Sequence, residues 1–321
     1  MDTLLDWLAR CILRALQFLP LPWAARLGRI GGEICYWCDI RHRRVALRNL
    51  KLCFAAERTA RELRALAREN FRRIGENYAS GAKTAFMSFE ELKPFVEFVG
   101  AGKLASNRSV IIALGHFGNF ELFARIGHLV PQLKPVATYR GLPHPVLNRL
   151  LLSLRSRSGC TFFERRTDAD ALKAALRSER LLLGLLADQH AGRRGLRLPF
   201  LGHDCSTSAA PAVFALRYNC HLATGFCFRV GLAQWRVEVG EEIPTRANGS
   251  PRPVEAIMRD VNQSFERAVR RDPANWFWVH NRWKPARRIR NSGRSRGSSN
   301  RDRESGKSEI RLSQSEANPK S

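Results

Sequence analysis

The first hydrophobic stretch, residues 4–19, carries Asp6, Arg10, Arg14 and Gln17 three or four residues apart, with Leu, Trp, Ile and Phe between them. That spacing puts the polar groups on one helical face and the apolar groups on the other. Pro20 and Pro22 end this helix. The chain reads as helical again over 23–53, closing on the basic run Arg41-His42-Arg43-Arg44. Residues 57–85 form a periodic helix rich in Arg, Ala and Leu. The front of the protein is therefore helical and basic.

After residue 85 the period changes. Short apolar runs at 110–114, 135–138, 161–163, 181–186, 222–230 and 235–239 read as strands. Helical stretches near 119–130, 144–157, 168–178, 208–218 and 253–271 fall between or after them. Strands alternating with helices predict an α/β protein with a mostly parallel central sheet flanked by helices, behind a helical N-terminal section. Beyond 285 the chain is Ser, Arg, Gly and Asn with almost no large apolar residue. Such a composition cannot bury enough surface to fold. Three parts follow: 1–22, an amphipathic membrane-associating helix; 23–284, the α/β body with its helical front; and 285–321, a disordered basic tail.

Charge sharpens this picture. The 321 residues carry 54 Lys+Arg against 29 Asp+Glu, net +25, of which +6 lies in 285–321 and +19 in the body. An anionic partner is implied: nucleic acid, an anionic membrane or a phosphorylated substrate. Arg makes up 45 of the 54 basic residues, and its planar fork suits phosphate and carboxylate. No uncharged run near the N-terminus reaches spanning length, and no small-residue cleavage site follows it. A helix lying on an anionic membrane surface fits 4–19 better than a core helix or a short spanning anchor. The eight cysteines are irregularly spaced, and Cys35-x-x-Cys38 has no second pair to complete a zinc site. Buried thiols are the expectation. Nor do His190, His203, Asp188 and Asp204 match any standard ligand spacing, so no metal is expected.

The chemistry-bearing segment is 110–121. A buried strand delivers His116 to a Gly-containing turn at its carboxyl end, where ligands bind in α/β sheets. Glu121 follows five residues later. If the turn folds back, that carboxylate can hold the imidazole in one tautomer and stabilise the imidazolium. His116 has no evident serine partner, so the pair suits deprotonation of a substrate's own hydroxyl. Asp188 and Gln189 end another apolar run, where Asp188 could hold an arginine or a histidine, or bind substrate.

The words around these residues resemble the late lauroyl/myristoyl acyltransferases of lipid A biosynthesis, within the H-x4-[D/E] acyltransferases. The carrying blocks are Gly115-His116-Phe117-Gly118-Asn119-Phe120-Glu121; Tyr139-Arg140 with His144-Pro145 and Leu147-Asn148-Arg149-Leu150; and Arg155-Ser156-Arg157-Ser158-Gly159. They continue with Ala187-Asp188-Gln189; Leu198-Pro199-Phe200-Leu201-Gly202; Thr207 with Pro211; and Ala274 through Lys284. Asn148, Ala210 and Phe120 stand where that family usually has Asp, Gly and Trp.

The resemblance implies a glycerol-phosphate acyltransferase-like fold and no cofactor. It implies His116 as general base, with Glu121 orienting it. Asn119, Arg140, Arg157, Arg165, Asp188, Gln189 and Thr207 become the candidate substrate-binding residues. The implied reaction moves a fatty acyl chain from an acyl-carrier-protein or CoA thioester to a hydroxyl of a lipid A precursor or related glycolipid. A lysophospholipid acceptor is the alternative. The implied place is the cytoplasmic face of the inner membrane, held peripherally or by one N-terminal anchor, as a monomer. A basic nucleic-acid-binding protein is the remote alternative, and no recognition motif for one stands out. Trp276, Trp278 and Trp283 among His280, Arg282 and Lys284 suit either a lipid headgroup zone or packing against the sheet.

Overall fold

An uninterrupted apolar run suits a strand covered on both faces, and Val110–Leu114 is such a strand, buried at every position. The computed structural model describes residues 2–284, so the expected tail 285–321 lies outside the described residues. Four helices come first: α1 (Asp2–Phe18), α2 (Leu21–Cys38), α3 (Ile40–Phe54) and α4 (Ala60–Thr84). The single helix expected over 23–53 is broken at Asp39, whose carboxylate caps α3 by accepting from the His42 amide. Thr59 and Glu62 form a reciprocal capping box that starts α4.

The one-turn helix α5 (Phe89–Leu92) leads to β1 (Val96–Val99) and β2 (Val110–Leu114). There follow β3 (Lys134–Tyr139), α6 (Pro145–Arg155), β4 (Thr161–Glu164), α7 (Ala169–Ser178) and β5 (Leu181–Leu186). A hairpin, β6 (Leu196–Phe200) and β7 (His203–Thr207), precedes α8 (Ala210–Arg217). After these come β8 (His221–Gly231), β9 (Gln234–Glu242) and α9 (Val254–Arg271). The main sheet has the order β1-β9-β8-β2-β5-β3-β4, parallel except for the β8–β9 pair. Alternate residues of β2 feed two cores. Ile111 and Ala113 join the one beneath α9, while Val110, Ile112 and Leu114 join the other. Sequence pattern missed β1 and the β6–β7 hairpin. The expected helix 119–130 is instead a 3-10 segment, Phe120–Leu129.

The front helices pack through glycine. A Cβ on Gly28 of α2 or on Gly75 of α4 would overlap the other's carbonyl oxygen, so the two backbones touch directly. Glu76, fully buried, then receives Arg29 from α2 and Arg229 from β8 at 3.1 and 2.9 Å. Lys83 of α4 donates to the Gln17 carbonyl of α1. The opposite face of α2 has no cover among the described residues: Trp23, Leu27, Ile30, Ile34 and Trp37, at helical spacing, are each 48% to 58% exposed. On α1, Trp7, Ile12 and Phe18 are exposed as well. Among the described residues no helix is long and apolar enough to cross a membrane.

The closing aromatic segment is core. Trp276 and Trp278 are buried and meet edge-to-face at 4.8 Å. Fully buried Arg282 donates to the carbonyls of Gln189 and Ser206 at 2.7 and 2.6 Å and to Thr207 Oγ1 at 2.9 Å. Packing, not a headgroup zone, accounts for these tryptophans.

Candidate active site

β2 and β5 lie side by side in register, with Leu114 opposite Leu186, so both strands release their next residues at the same edge. That places His116 beside Asp188. The imidazole Nδ1 lies 2.8 Å from Asp188 Oδ1, and the His116 amide donates to Asp188 Oδ2 at 2.8 Å. Trp276 Nε1 also donates to Oδ2, at 2.8 Å. Burial pushes the Asp188 carboxyl up, but the His116 charge and these three hydrogen bonds outweigh it and hold the group below its usual range. A carboxylate can only accept, so Nδ1 is the donor in this contact and Nε2 is the ring nitrogen it leaves for other partners. The Gln189 side-chain amide sits 3.4 Å from Nε2. Phe120 packs edge-on against the ring at 4.9 Å, and Phe277 lies over it at 5.8 Å.

The expected contact between Glu121 and His116 is replaced. The turn does not fold back, and the 3-10 segment carries Glu121 toward α6. There Arg155 grips both carboxylate oxygens, Nε to Oε2 at 3.0 Å. Glu121 thus braces the cavity wall, and Asp188 takes the place beside the imidazole. Gly118 makes the turn possible: its φ is +52°, and a Cβ there would overlap the Cys227 carbonyl.

Two cavities meet at His116. The smaller, about 270 Å³, is apolar and runs between α4, α1 and the 3-10 segment. The larger, about 690 Å³, lies over the carboxyl half of the sheet, with Ile112, Leu114, Leu182 and Leu186 in its wall. Arg140, Arg165 and Gln189 line the larger cavity, and both arginines are exposed. Asn119 lines the smaller. Arg157 and Thr207 line neither: the Arg157 guanidinium lies 4.4 Å over the Phe86 ring, and buried Thr207 accepts from Arg282 and Asn262. Sequence reasoning passed over Arg155 and Trp276 as partners of the two acids. Their spacing, 34 and 88 residues from those acids, leaves no local trace. His203 bonds the Leu52 carbonyl and Asp188 holds His116. His280 accepts the His190 amide at 2.9 Å, and burial pulls it down to about 4.

The family model for bacterial lipid A biosynthesis acyltransferases matches residues 1–285. The chain belongs to that family. It is 24% identical over 294 residues to a lipid A biosynthesis acyltransferase of Haemophilus influenzae, covering 87% of this chain and 90% of that protein. Escherichia coli K12 provides two more relatives at 23% identity, a lipid A biosynthesis palmitoleoyltransferase and a lipid A biosynthesis lauroyltransferase. Each match covers 87% of this chain and 91% of the relative. Family membership makes the protein an acyltransferase of lipid A biosynthesis. In this member of the family the His116 ring stands where the smaller, apolar cavity meets the larger one, whose wall includes Arg140 and Arg165.

Proposed function

We propose that the protein transfers a fatty acyl chain from an acyl-carrier-protein or CoA thioester to a hydroxyl of a lipid A precursor. His116 Nε2 acts as general base, and no covalent enzyme intermediate forms. The observation that carries this reading is the His116–Asp188 pair at the junction of the two cavities. Nε2 takes the hydroxyl proton as the oxygen attacks the thioester carbonyl, and Asp188 stabilises the imidazolium. The proton then passes to the departing thiolate. Arg140 and Arg165, on the wall of the larger cavity, suit a phosphorylated acceptor.

The same reading puts the reaction at the cytoplasmic face of the inner membrane. The uncovered apolar stripe of α2 and the exposed Trp7, Ile12 and Phe18 of α1 supply a surface to bury in lipid. Arg26, stacked over Trp23 at 4.9 Å, adds a cation beside that stripe. The body's net +19 also favours an acidic donor carrier. The test uses purified protein with lauroyl and palmitoleoyl thioesters of acyl-carrier protein and of CoA, offered a lipid A precursor or a lysophospholipid. Acylation of the lipid A precursor that is lost in His116→Ala is expected. Equal activity in His116→Ala removes the mechanism, and acylation of the lysophospholipid alone removes the acceptor.

A further inference from the structure

Attack on a thioester pushes the carbonyl π pair onto oxygen, and that oxyanion needs hydrogen-bond donors. The turn after β2 is the obvious source, but three of its amides are already used. His116 N–H donates to Asp188, Phe117 N–H to Gly115 O at 2.8 Å, and Gly118 N–H to Asn275 O at 3.1 Å. The buried side-chain donors on the wall of the smaller cavity are occupied too. Asn70, Thr84, Arg125, Ser158, Asn275 and Trp276 all donate to protein acceptors. One buried side-chain donor on this wall remains. The Asn119 side chain is 2% exposed, lines the cavity that His116 also lines, and its Nδ2 has no hydrogen-bond partner.

An unpaired buried amide is costly to a fold, about 1–3 kcal/mol, and nothing in the packing requires one here. The other unpartnered buried atoms on this wall, Asn70 Oδ1 and Asn77 Oδ1, are acceptors and cannot serve an oxyanion. We infer that Asn119 Nδ2 is the oxyanion donor of the acyl transfer, an assignment that rests on the proposed reaction at His116. As the acceptor oxygen bonds to the thioester carbon, its proton goes to His116 Nε2 and the carbonyl electron pair goes to oxygen, which accepts from Asn119 Nδ2. Collapse restores the carbonyl, breaks the C–S bond and returns the proton from the imidazolium to sulfur. The products are an ester and a thiol.

The experiment measures kcat, KM and thermal midpoint for wild type, Asn119→Leu and Asn119→Ala, using lauroyl thioester of acyl-carrier protein and a lipid A precursor. The expected result is kcat lower by about 10²–10³, KM within threefold, and a thermal midpoint equal to or above wild type in at least one variant. A structural asparagine would give the opposite pairing, a lower midpoint with kcat kept. The inference is overturned if Asn119→Ala keeps kcat within threefold, if only KM changes, or if both variants lose kcat only in proportion to lost stability. An inactive wild type overturns the underlying reaction and this inference together. An active wild type matched by an active Asn119→Ala overturns this inference alone.

Discussion

Asp188 reaches His116 from 72 residues away, contacting both its ring Nδ1 and its backbone amide at 2.8 Å. The carboxylate therefore fixes where the ring sits as well as which nitrogen is free. Asp188→Asn tests this with little change of shape. The new amide can offer N–H to Nδ1, which moves the ring proton to Nε2 and removes the base. We expect kcat to fall by roughly 10³–10⁴ with KM little changed, as for tautomer-reversing changes in serine-protease triads. Unchanged kcat would separate Asp188 from catalysis.

Glu121 sits in the other pairing, with Arg155. Glu121→Gln keeps one acceptor for the guanidinium and should cost less activity than Asp188→Asn, by at least tenfold. Glu121→Ala leaves Arg155, only 13% exposed at its side chain, without its carboxylate. A stability loss of about 1–3 kcal/mol is expected in denaturant titration. If Glu121→Gln proves the more damaging to kcat, the carboxylate roles drawn from the geometry are reversed.

Acid should act through His280. Its folded value of about 4 lies below that of a free imidazole, chiefly because it is buried, with Arg282, His116 and His190 opposing its charge and Asp188 favouring it. Between about 6.5 and 4 the unfolded chain binds a proton that the folded chain refuses. Stability should therefore decline as pH drops through that window and level off below it. His280→Gln keeps an acceptor for the His190 amide but does not titrate. Its stability should vary less over the window, and a slope identical to wild type would count against this account.

The α2 stripe predicts lipid binding separable from folding. Ile30 and Ile34 are each 56% exposed, so Ile30→Gln and Ile34→Gln should leave the thermal midpoint within a degree or two. If the stripe enters the bilayer, each loses on the order of 1.5–3 kcal/mol of apolar burial, or roughly tenfold or more in partitioning to anionic vesicles. Vesicle sedimentation that shows wild-type partitioning for the double variant would exclude this face.

The parts of this protein that could be read from sequence are those whose cause is local. β2 and β5 announce themselves because a strand buried on both faces needs an unbroken apolar run, and α9 because one face alone is apolar. His116 is marked by the strand and turn that present it. Its partner is not, because the parallel pairing of β2 with β5 is a long-range fact. Glu121 attracts attention by nearness in sequence, yet the 3-10 segment turns it away. Likewise Trp276 and Arg282 have the composition of a lipid-facing cluster. Only the tertiary structure shows their donors spent on Asp188 and on the Gln189, Ser206 and Thr207 oxygens.

The indole of Trp276, bonded to Asp188, has a bearing on synthesis. His116 emerges from a ribosome long before residue 276 does, and the carboxylate that fixes it is itself fixed by that last segment. A chain halted after α9 could assemble much of the sheet, yet its histidine would lack a finished mount. A chain cut between α9 and Trp276 is therefore expected to keep the strands of the sheet and to lose the indole hydrogen bond on Asp188.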